Sequence, residues 1–180
     1  MILSPFRRNP RDTISTLYGM IVAQARLPVF YRDYAVADTV NGRFDLIVLH
    51  LALVLERLTE NGALHPAGQA LFDRFCQDMD DNLREMGISD LKVPKEMKRM
   101  GQAFYGRSKA YLDALGNRRA LVAALTRNIY GGAPSALDAA PRLADYIAQA
   151  VGDLKAQDTA AIIAGGLRFP DPAGVPAPIG

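Results

Sequence analysis

A ten-residue apolar run, Leu46 to Leu55, constrains the fold of this chain more than any other feature. Its sequence is LIVLHLALVL, in which His50 is the only polar residue. The run is too short to cross a bilayer, which takes about 20 residues of helix. A helix that is apolar around its whole circumference is normally surrounded by protein. We therefore predict a central helix over residues 43–59, with His50 as a hydrogen-bonded residue inside the bundle or at its edge.

The remaining sequence has the residue pattern of an all-helical protein. Proline and glycine fall mostly between apolar periodic segments, and no strand pattern of period two persists. Asn117 is expected to cap one helix, and Ser135 with Asp138 resembles a capping box for the next. The fold class is therefore all-α, a single-domain irregular bundle of about six to eight helices around the central one. The predicted divisions are an N-terminal arm at 1–12, the helical domain at 13–166, and a Pro-rich C-terminal tail, extended or disordered, at 167–180.

Composition narrows the function classes. The chain has 180 residues, enough for a core, and a net charge of only +2, which gives no global field for nucleic acid and predicts no DNA binding. Its one cysteine, Cys76, rules out an intramolecular disulfide and fits a reducing compartment. Arg7 and Arg8 follow the short apolar start rather than precede it, unlike in a signal peptide. We expect a cytoplasmic protein.

A cluster of aspartates, Asp78, Asp80 and Asp81, lies on the predicted helix from Pro66 to Gly87. Such clusters can hold a divalent metal against a diphosphate, but Asp78 and Asp80 point roughly 160° apart on a helix. Asp80 can pair with Arg84 one turn later. A site made by Asp78 and Asp81 stays open, although the sequence has no comparable second acidic cluster, and a solvated or partner-facing surface is favoured. The predicted core face comprises Phe72, Phe75, Cys76, Met79, Leu83 and Met86.

The next predicted helix, over 94–115, has an apolar stripe and a basic face on opposite sides. The apolar stripe is formed by Met97, Met100, Phe104, Tyr111 and Leu115. The basic face spans roughly 100° of arc. It fits a solvated surface, or contact with anionic lipid, ribosomal RNA or an acidic partner. Arg107 falls near the apolar stripe and needs a buried or half-buried acceptor, for which Glu96 is one candidate. The basic face is defined as Lys95, Lys98, Arg99 and Lys109.

No catalytic constellation is found. Tyr105 and Lys109 match the Tyr-x-x-x-Lys spacing of short-chain dehydrogenases, and Ser89 and Lys92 match Ser-x-x-Lys of penicillin-binding enzymes. Both matches lack the companion elements of those enzymes. The histidines and the cysteine show no zinc spacing. We predict no enzymatic activity, no metal and no cofactor.

Three segments resemble the ubiquinol–cytochrome c chaperone family. They are YGMIVAQARLPVFYRDYAVADTVNGRFDLIVLHLALVLERL, DMDDNLREMGISDLKVPKEMKRMGQAFYGRSKAYLDAL and LTRNIYGG. The resemblance covers about residues 14–170. It implies an all-helical protein that assists assembly of the cytochrome bc1 complex, and mitochondrial relatives that bind newly made cytochrome b near the ribosome exit with a small partner protein. The sequence is similar to the short bacterial branch, which implies a place at the cytoplasmic face of the inner membrane.

The leading hypothesis is a non-catalytic assembly factor for nascent or unassembled cytochrome b, with contact to the ribosome or to an anionic membrane surface left open. One alternative is a helical-bundle carrier or enzyme for an isoprenoid or quinone-like ligand, using the Asp-rich helix. Another is a ribosome- or RNA-binding module working through the basic face. The predicted partner-binding residues are Asp78, Asp80, Asp81, Arg84, Lys95, Lys98, Arg99 and Lys109.

Overall fold

The structure is a computed structural model that describes residues 10–177. Seven α-helices of five residues or more form most of this part of the chain. The predicted all-α class is confirmed. The predicted N-terminal arm lies mostly outside the described residues, and 10–12 already belong to the first helix. The helices are α1 (Pro10–Ala25), α2 (Pro28–Arg32), α3 (Val40–Arg57), α4 (Pro66–Glu85), α5 (Val93–Leu112), α6 (Arg118–Asn128), α7 (Ala136–Ala156) and the short α8 (Thr159–Ala161), which continues into a π-turn (Ile162–Gly166).

Helix α3 is the central helix, as predicted. Every residue from Asp45 to Val54 is buried, and α3 packs against α1, α4, α5 and α7. It begins before the predicted residue 43 because the Oγ1 atom of Thr39 accepts a hydrogen bond from the Gly42 backbone N–H at 3.1 Å, which caps the first turn. A Cβ at Gly42 would lie 1.9 Å from the Ala37 carbonyl oxygen, so the entry to α3 requires glycine.

A two-stranded hairpin follows α3, where we predicted only a helix stop. Strand β1 (Thr59–Glu60) pairs antiparallel with β2 (Ala63–Leu64). Asn61 and Gly62 between them both have positive φ, +52° and +77°. These are the dihedrals of a type I′ turn, which Asn-Gly favours. The expectation of no strand is wrong here, because strands of two residues are too short to show a period.

His50 lies in a buried hydrogen-bond chain at the centre of the bundle. Its Nδ1 is 2.7 Å from the Leu46 carbonyl oxygen, which can only accept, so Nδ1 carries the proton. Its Nε2 lies 2.9 Å from the Tyr146 hydroxyl, and that hydroxyl accepts from Gln24 Nε2 at 3.0 Å. Burial lowers the pKa of His50 to about 4. The prediction of a hydrogen-bonded core histidine is confirmed.

Arg107 pairs with Asp45 of α3, not with Glu96. The Nη2 atom of Arg107 lies 3.1 Å from Oδ1 of Asp45, and Glu96 pairs instead with Arg99. The predicted Glu96 partner was wrong because 11 helical residues separate it from Arg107 by about 16 Å along α5. Burial raises the pKa of Asp45 to about 6 although the Arg107 charge opposes the rise. The pair joins α5 to the central helix, but the Arg107 charge does not offset the burial of the carboxylate, whose Oδ1 atom accepts no hydrogen bond within the described residues.

The helix caps agree with the sequence at one site and differ at another. The Asn117 side chain accepts from the Ala120 backbone N–H at 3.1 Å, as expected for the cap of α6. Ser135 precedes α7, but its side chain makes no capping bond. Its backbone is already helical (φ −60°, ψ −17°), whereas a capping side chain needs an extended backbone. The predicted capping box is therefore not formed.

The Pro-rich segment after the π-turn packs on the bundle. Pro172 accepts a hydrogen bond from the Tyr34 hydroxyl at 2.6 Å, and the Val175 carbonyl accepts two from the Arg142 guanidinium at 3.1 and 2.9 Å. The ring of Phe169 lies 5.2 Å from that of His50. Much of the segment is extended, as expected, but through residue 177 it is held against α2 and α7. The buried members are Leu167, Pro170, Pro172 and Val175.

Candidate functional site: the charged surface of α4 and α5

The predicted acidic cluster divides into structural and exposed carboxylates. Asp78 is half-buried, and its Oδ2 atom accepts a hydrogen bond from the Tyr18 hydroxyl of α1 at 2.8 Å. Asp81 is exposed and accepts from Gln77 at 3.0 Å. The two carboxylates thus have separate partners. Across the described part of the chain, no group of three His, Cys, Asp or Glu side chains is placed to hold a metal ion.

Arg84 links the acidic cluster to the turn between α4 and α5. Its Nε atom lies 2.6 Å from Oδ2 of Asp80, which confirms the predicted pair one helical turn apart. Its Nη1 atom pairs with Asp90 in the turn. Arg84 therefore bridges two carboxylates from different elements, and it fixes the direction in which the chain leaves α4.

The basic face of α5 is exposed, and it contains both paired and unpaired cations. Arg99 lies 2.9 Å from Glu96, and Lys109 lies 2.7 Å from Asp113. Lys95 and Lys98 form no ion pair within residues 10–177. Because the acidic cluster ends α4 and these lysines begin α5, the short turn brings both charged groups to one corner of the molecule.

Aromatic side chains lie between the two helices, partly open to solvent. Phe72 of α4 stands 5.0 Å from Phe104 and 5.9 Å from Tyr105 between ring centroids. Tyr105 is 64% exposed. The sequence places Tyr105 in a Tyr-x-x-x-Lys match, and its position beside the apolar stripe of α5 is the signal that indicates an exposed ring. Other partly exposed apolar side chains of these helices are Cys76, Met97 and Met100.

Met86 departs from the predicted core face of α4. It is 62% exposed, whereas Phe75, Met79 and Leu83 of the same predicted face are buried. The helix ends at Glu85, so Met86 stands at the C-cap, beyond the last turn that faces the core. The helical spacing correctly predicted the buried residues Phe75, Met79 and Leu83 of this face. It could not predict the residue at which the helix ends.

A surface cleft beside α2 was not anticipated. Its volume is about 580 Å³, and two of its arginines have partners, since Arg32 pairs with Asp33 and Arg43 with Asp38 at 2.6 and 2.8 Å. These residues are scattered between positions 26 and 43, so only folding brings them together. The lining consists of Arg26, Pro28, Tyr31, Arg32, Asp38 and Arg43.

The family model described as ubiquinol-cytochrome C chaperone matches residues 32–169, most of the chain and all of α3 to α7. The chain belongs to the ubiquinol–cytochrome c chaperone family. The crystal structure of the Cbp3 homolog from Brucella abortus is similar throughout, with 38% sequence identity, 93% of each chain covered and a TM-score of 0.82. No curated protein matches the chain.

The match to the ubiquinol–cytochrome c chaperone family includes every predicted partner-binding residue, from Asp78 to Lys109. Among helices in the described range, none is both long enough and apolar enough to cross a membrane. Together α4 and α5 present charges of both signs beside accessible rings.

Proposed function

We propose that this protein is a non-catalytic assembly factor that binds newly made or unassembled cytochrome b. Membership of the ubiquinol–cytochrome c chaperone family makes it a chaperone of bc1 complex assembly, and the match over residues 32–169 is the observation that carries the proposal. Cytochrome b is the client that the sequence resemblance implies. The proposed place of action is the cytoplasmic face of the inner membrane.

The surface of α4 and α5 suits such a client. A chaperone for a membrane protein must hold apolar segments and remain soluble, which calls for accessible aromatic and methionine side chains beside charges. Phe72 and Tyr105 supply accessible rings, and the acidic cluster and the basic face border them. We assign client contact to Asp80, Asp81 and Arg84 on α4, and to the basic face on α5. Asp78 contributes chiefly through its bond to Tyr18.

That bond also weighs against the isoprenoid-ligand alternative. A diphosphate site using Mg²⁺ would need the Asp78 and Asp81 carboxylates free to converge on one ion. Asp78 is instead committed to Tyr18 of α1 at 2.8 Å. A role in protein contact asks for no such convergence.

The test of function begins in a strain that lacks the gene. Reduced-minus-oxidised difference spectra of its membranes, with ubiquinol–cytochrome c reductase activity, report on assembled cytochrome b. We expect both the b-type haem signal and the activity to fall, and the gene to restore them. Normal spectra and normal activity would contradict the proposal.

A second experiment locates the client surface. The triple reversal Lys95→Glu, Lys98→Glu and Arg99→Glu should reduce co-purification of cytochrome b with the tagged protein, at unchanged thermal stability. The matched control reverses three exposed cations on α6 and α7. If the two triple variants retain cytochrome b equally, the basic face takes no part in client binding. The control residues are Arg119, Arg127 and Lys155.

A further inference from the structure

The turn between α4 and α5, residues 86–92, presents two apolar side chains to solvent. Leu91 is 95% exposed and Met86 is 62% exposed. A single exposed leucine is common on protein surfaces and needs no explanation. Two further features accompany these side chains, namely the hydrogen-bonded backbone of the turn and the exposed lysines that follow it.

The backbone of the turn is tightly fixed. Gly87 donates its N–H to the Arg84 carbonyl at 2.9 Å, and Ile88 donates to the Leu83 carbonyl at 3.0 Å. With Gly87 at φ +79°, this is a Schellman motif. Lys92 N–H closes the other side on the Ser89 carbonyl at 2.8 Å. Leu91 is therefore held outward by the fold, and its exposure does not come from a loose loop.

Three exposed lysines follow Leu91. Lys92, Lys95 and Lys98 are exposed, and none of them pairs with a carboxylate in the described residues. At 100° per residue they lie within about 120° of arc, so they face one direction. Within the described residues these three ammonium groups form no ion pair, in contrast to Arg99, which pairs with Glu96. The nearby carboxylates of Asp80 and Asp90 both pair with Arg84.

We propose that this turn docks the protein on an anionic lipid bilayer. Leu91 and Met86 enter the boundary between headgroups and acyl chains, and Lys92, Lys95 and Lys98 contact lipid phosphates. Protruding apolar side chains beside unpaired lysines complement both layers of such a surface. RNA would use the lysines alone, because leucine offers a base no ring for stacking. Such attachment is peripheral and reversible, since few apolar groups insert.

The proposal goes beyond client binding, and its test contains no cytochrome b. The purified full chain is floated with vesicles of phosphatidylcholine alone or mixed with phosphatidylglycerol. We expect binding to the anionic vesicles only, weakened by salt. Leu91→Ser should lower the partition coefficient about tenfold. The matched control is Leu137→Ser at the start of α7, where the leucine is 80% exposed, and it should leave the partition coefficient unchanged.

The charge contribution is tested separately. Lys92→Gln, Lys95→Gln and Lys98→Gln together should lower binding to anionic vesicles about a hundredfold, roughly fivefold for each lysine. Glutamine at Arg119, Arg127 and Lys155 serves as the control. Absence of binding to anionic vesicles, or equal binding by the Leu91 and Leu137 variants, would overturn the proposal. So would binding of ribosomal RNA that needs the lysines while vesicle binding does not.

Discussion

His50 has two hydrogen bonds inside the bundle and no contact with water, so its neutral form is the one that the fold selects. Its pKa is about 4 in the folded protein, against an ordinary 6.5. The unfolded chain therefore takes up a proton first as the pH falls, and stability is lost through the window from about 6.5 down to 4. We expect the contribution of His50 to this loss to reach about 2 kcal/mol at pH 5.

Urea unfolding at pH 7.5 and pH 5 measures this loss. His50→Gln keeps a hydrogen-bonding side chain without a group that titrates in this range. It should be less stable than wild type at pH 7.5, and it should lose less stability on acidification by about those 2 kcal/mol. An equal loss in both proteins would show that other groups control the acid response.

Asp45 should act in the opposite direction. Its pKa is raised by burial from an ordinary 3.8 to about 6, so the folded protein binds this proton more readily than the unfolded chain. The stability it contributes is full below about pH 4 and is lost as the pH rises through 6. From pH 4 to pH 7, this group should cost the wild type about 2–3 kcal/mol in free energy of unfolding, and Asp45→Asn should not show that loss. Urea unfolding across this pH range measures the difference between the two proteins. Asp81→Asn removes an exposed carboxylate of α4 and is the control for the lost charge.

At the scale of elements, the bond between Tyr18 and Asp78 joins α1 to α4. Asp78→Ala leaves the Tyr18 hydroxyl without its acceptor, and we expect a loss of about 1–2 kcal/mol in the free energy of unfolding. Asp81→Ala, three residues later on the exposed side, should change it by less than about 0.5 kcal/mol. Chemical denaturation of the two variants compares them directly. Similar losses would mean that the bond to Tyr18 contributes nothing.

The Schellman turn after α4 gives a second prediction about elements. Gly87→Ala forces a Cβ into a left-handed conformation at φ +79° and should cost about 1 kcal/mol. Gly101→Ala lies inside α5, where the added Cβ meets no atom within 4 Å apart from its chain neighbours and the local helix backbone, and it should stabilise by up to about 1 kcal/mol. Thermal unfolding should thus move in opposite directions for the same substitution. A shift in the same direction for both would contradict this account of the turn.

Whether a feature of these elements could be predicted depended on how far apart in the sequence the interacting residues lie. Periodicity located α3, α4 and α5, because one helix face repeats the same environment every turn. Contacts between residues distant in the chain could not be predicted from the sequence. The two clearest examples are the pairing of Arg107 with Asp45 and the hydrogen bond from Tyr18 to Asp78. Helix ends were intermediate, since Asn117 follows a local rule while Ser135 depends on a backbone that was already helical.

For the whole molecule, the sequence indicated the bundle and the family but not the packing of its C-terminal segment. Four of the 11 prolines lie in residues 167–180, which favoured an extended or disordered tail. Proline removes backbone donors, yet its carbonyl still accepts, and here Pro170 and Pro172 accept from Gln24 and Tyr34. Those donors are 146 and 138 residues distant in the chain, so no local pattern could reveal them.

The packed segment predicts that a chain ending at Gly166 is strongly destabilised. Its loss uncovers Tyr34 and the His50 ring, and it removes the burial of Leu167 and Val175, each worth about 1.5–3 kcal/mol. We expect a loss of about 3–6 kcal/mol, a large part of the 5–15 kcal/mol typical of a domain. A chain ending at Ala177 keeps all these contacts and is the control. Urea unfolding of both truncated chains and of the full chain measures this loss. If the chain ending at Gly166 were as stable as the full chain, the segment would only rest on the bundle. A loss in that chain but not in the one ending at Ala177 would make the segment the last layer of the core.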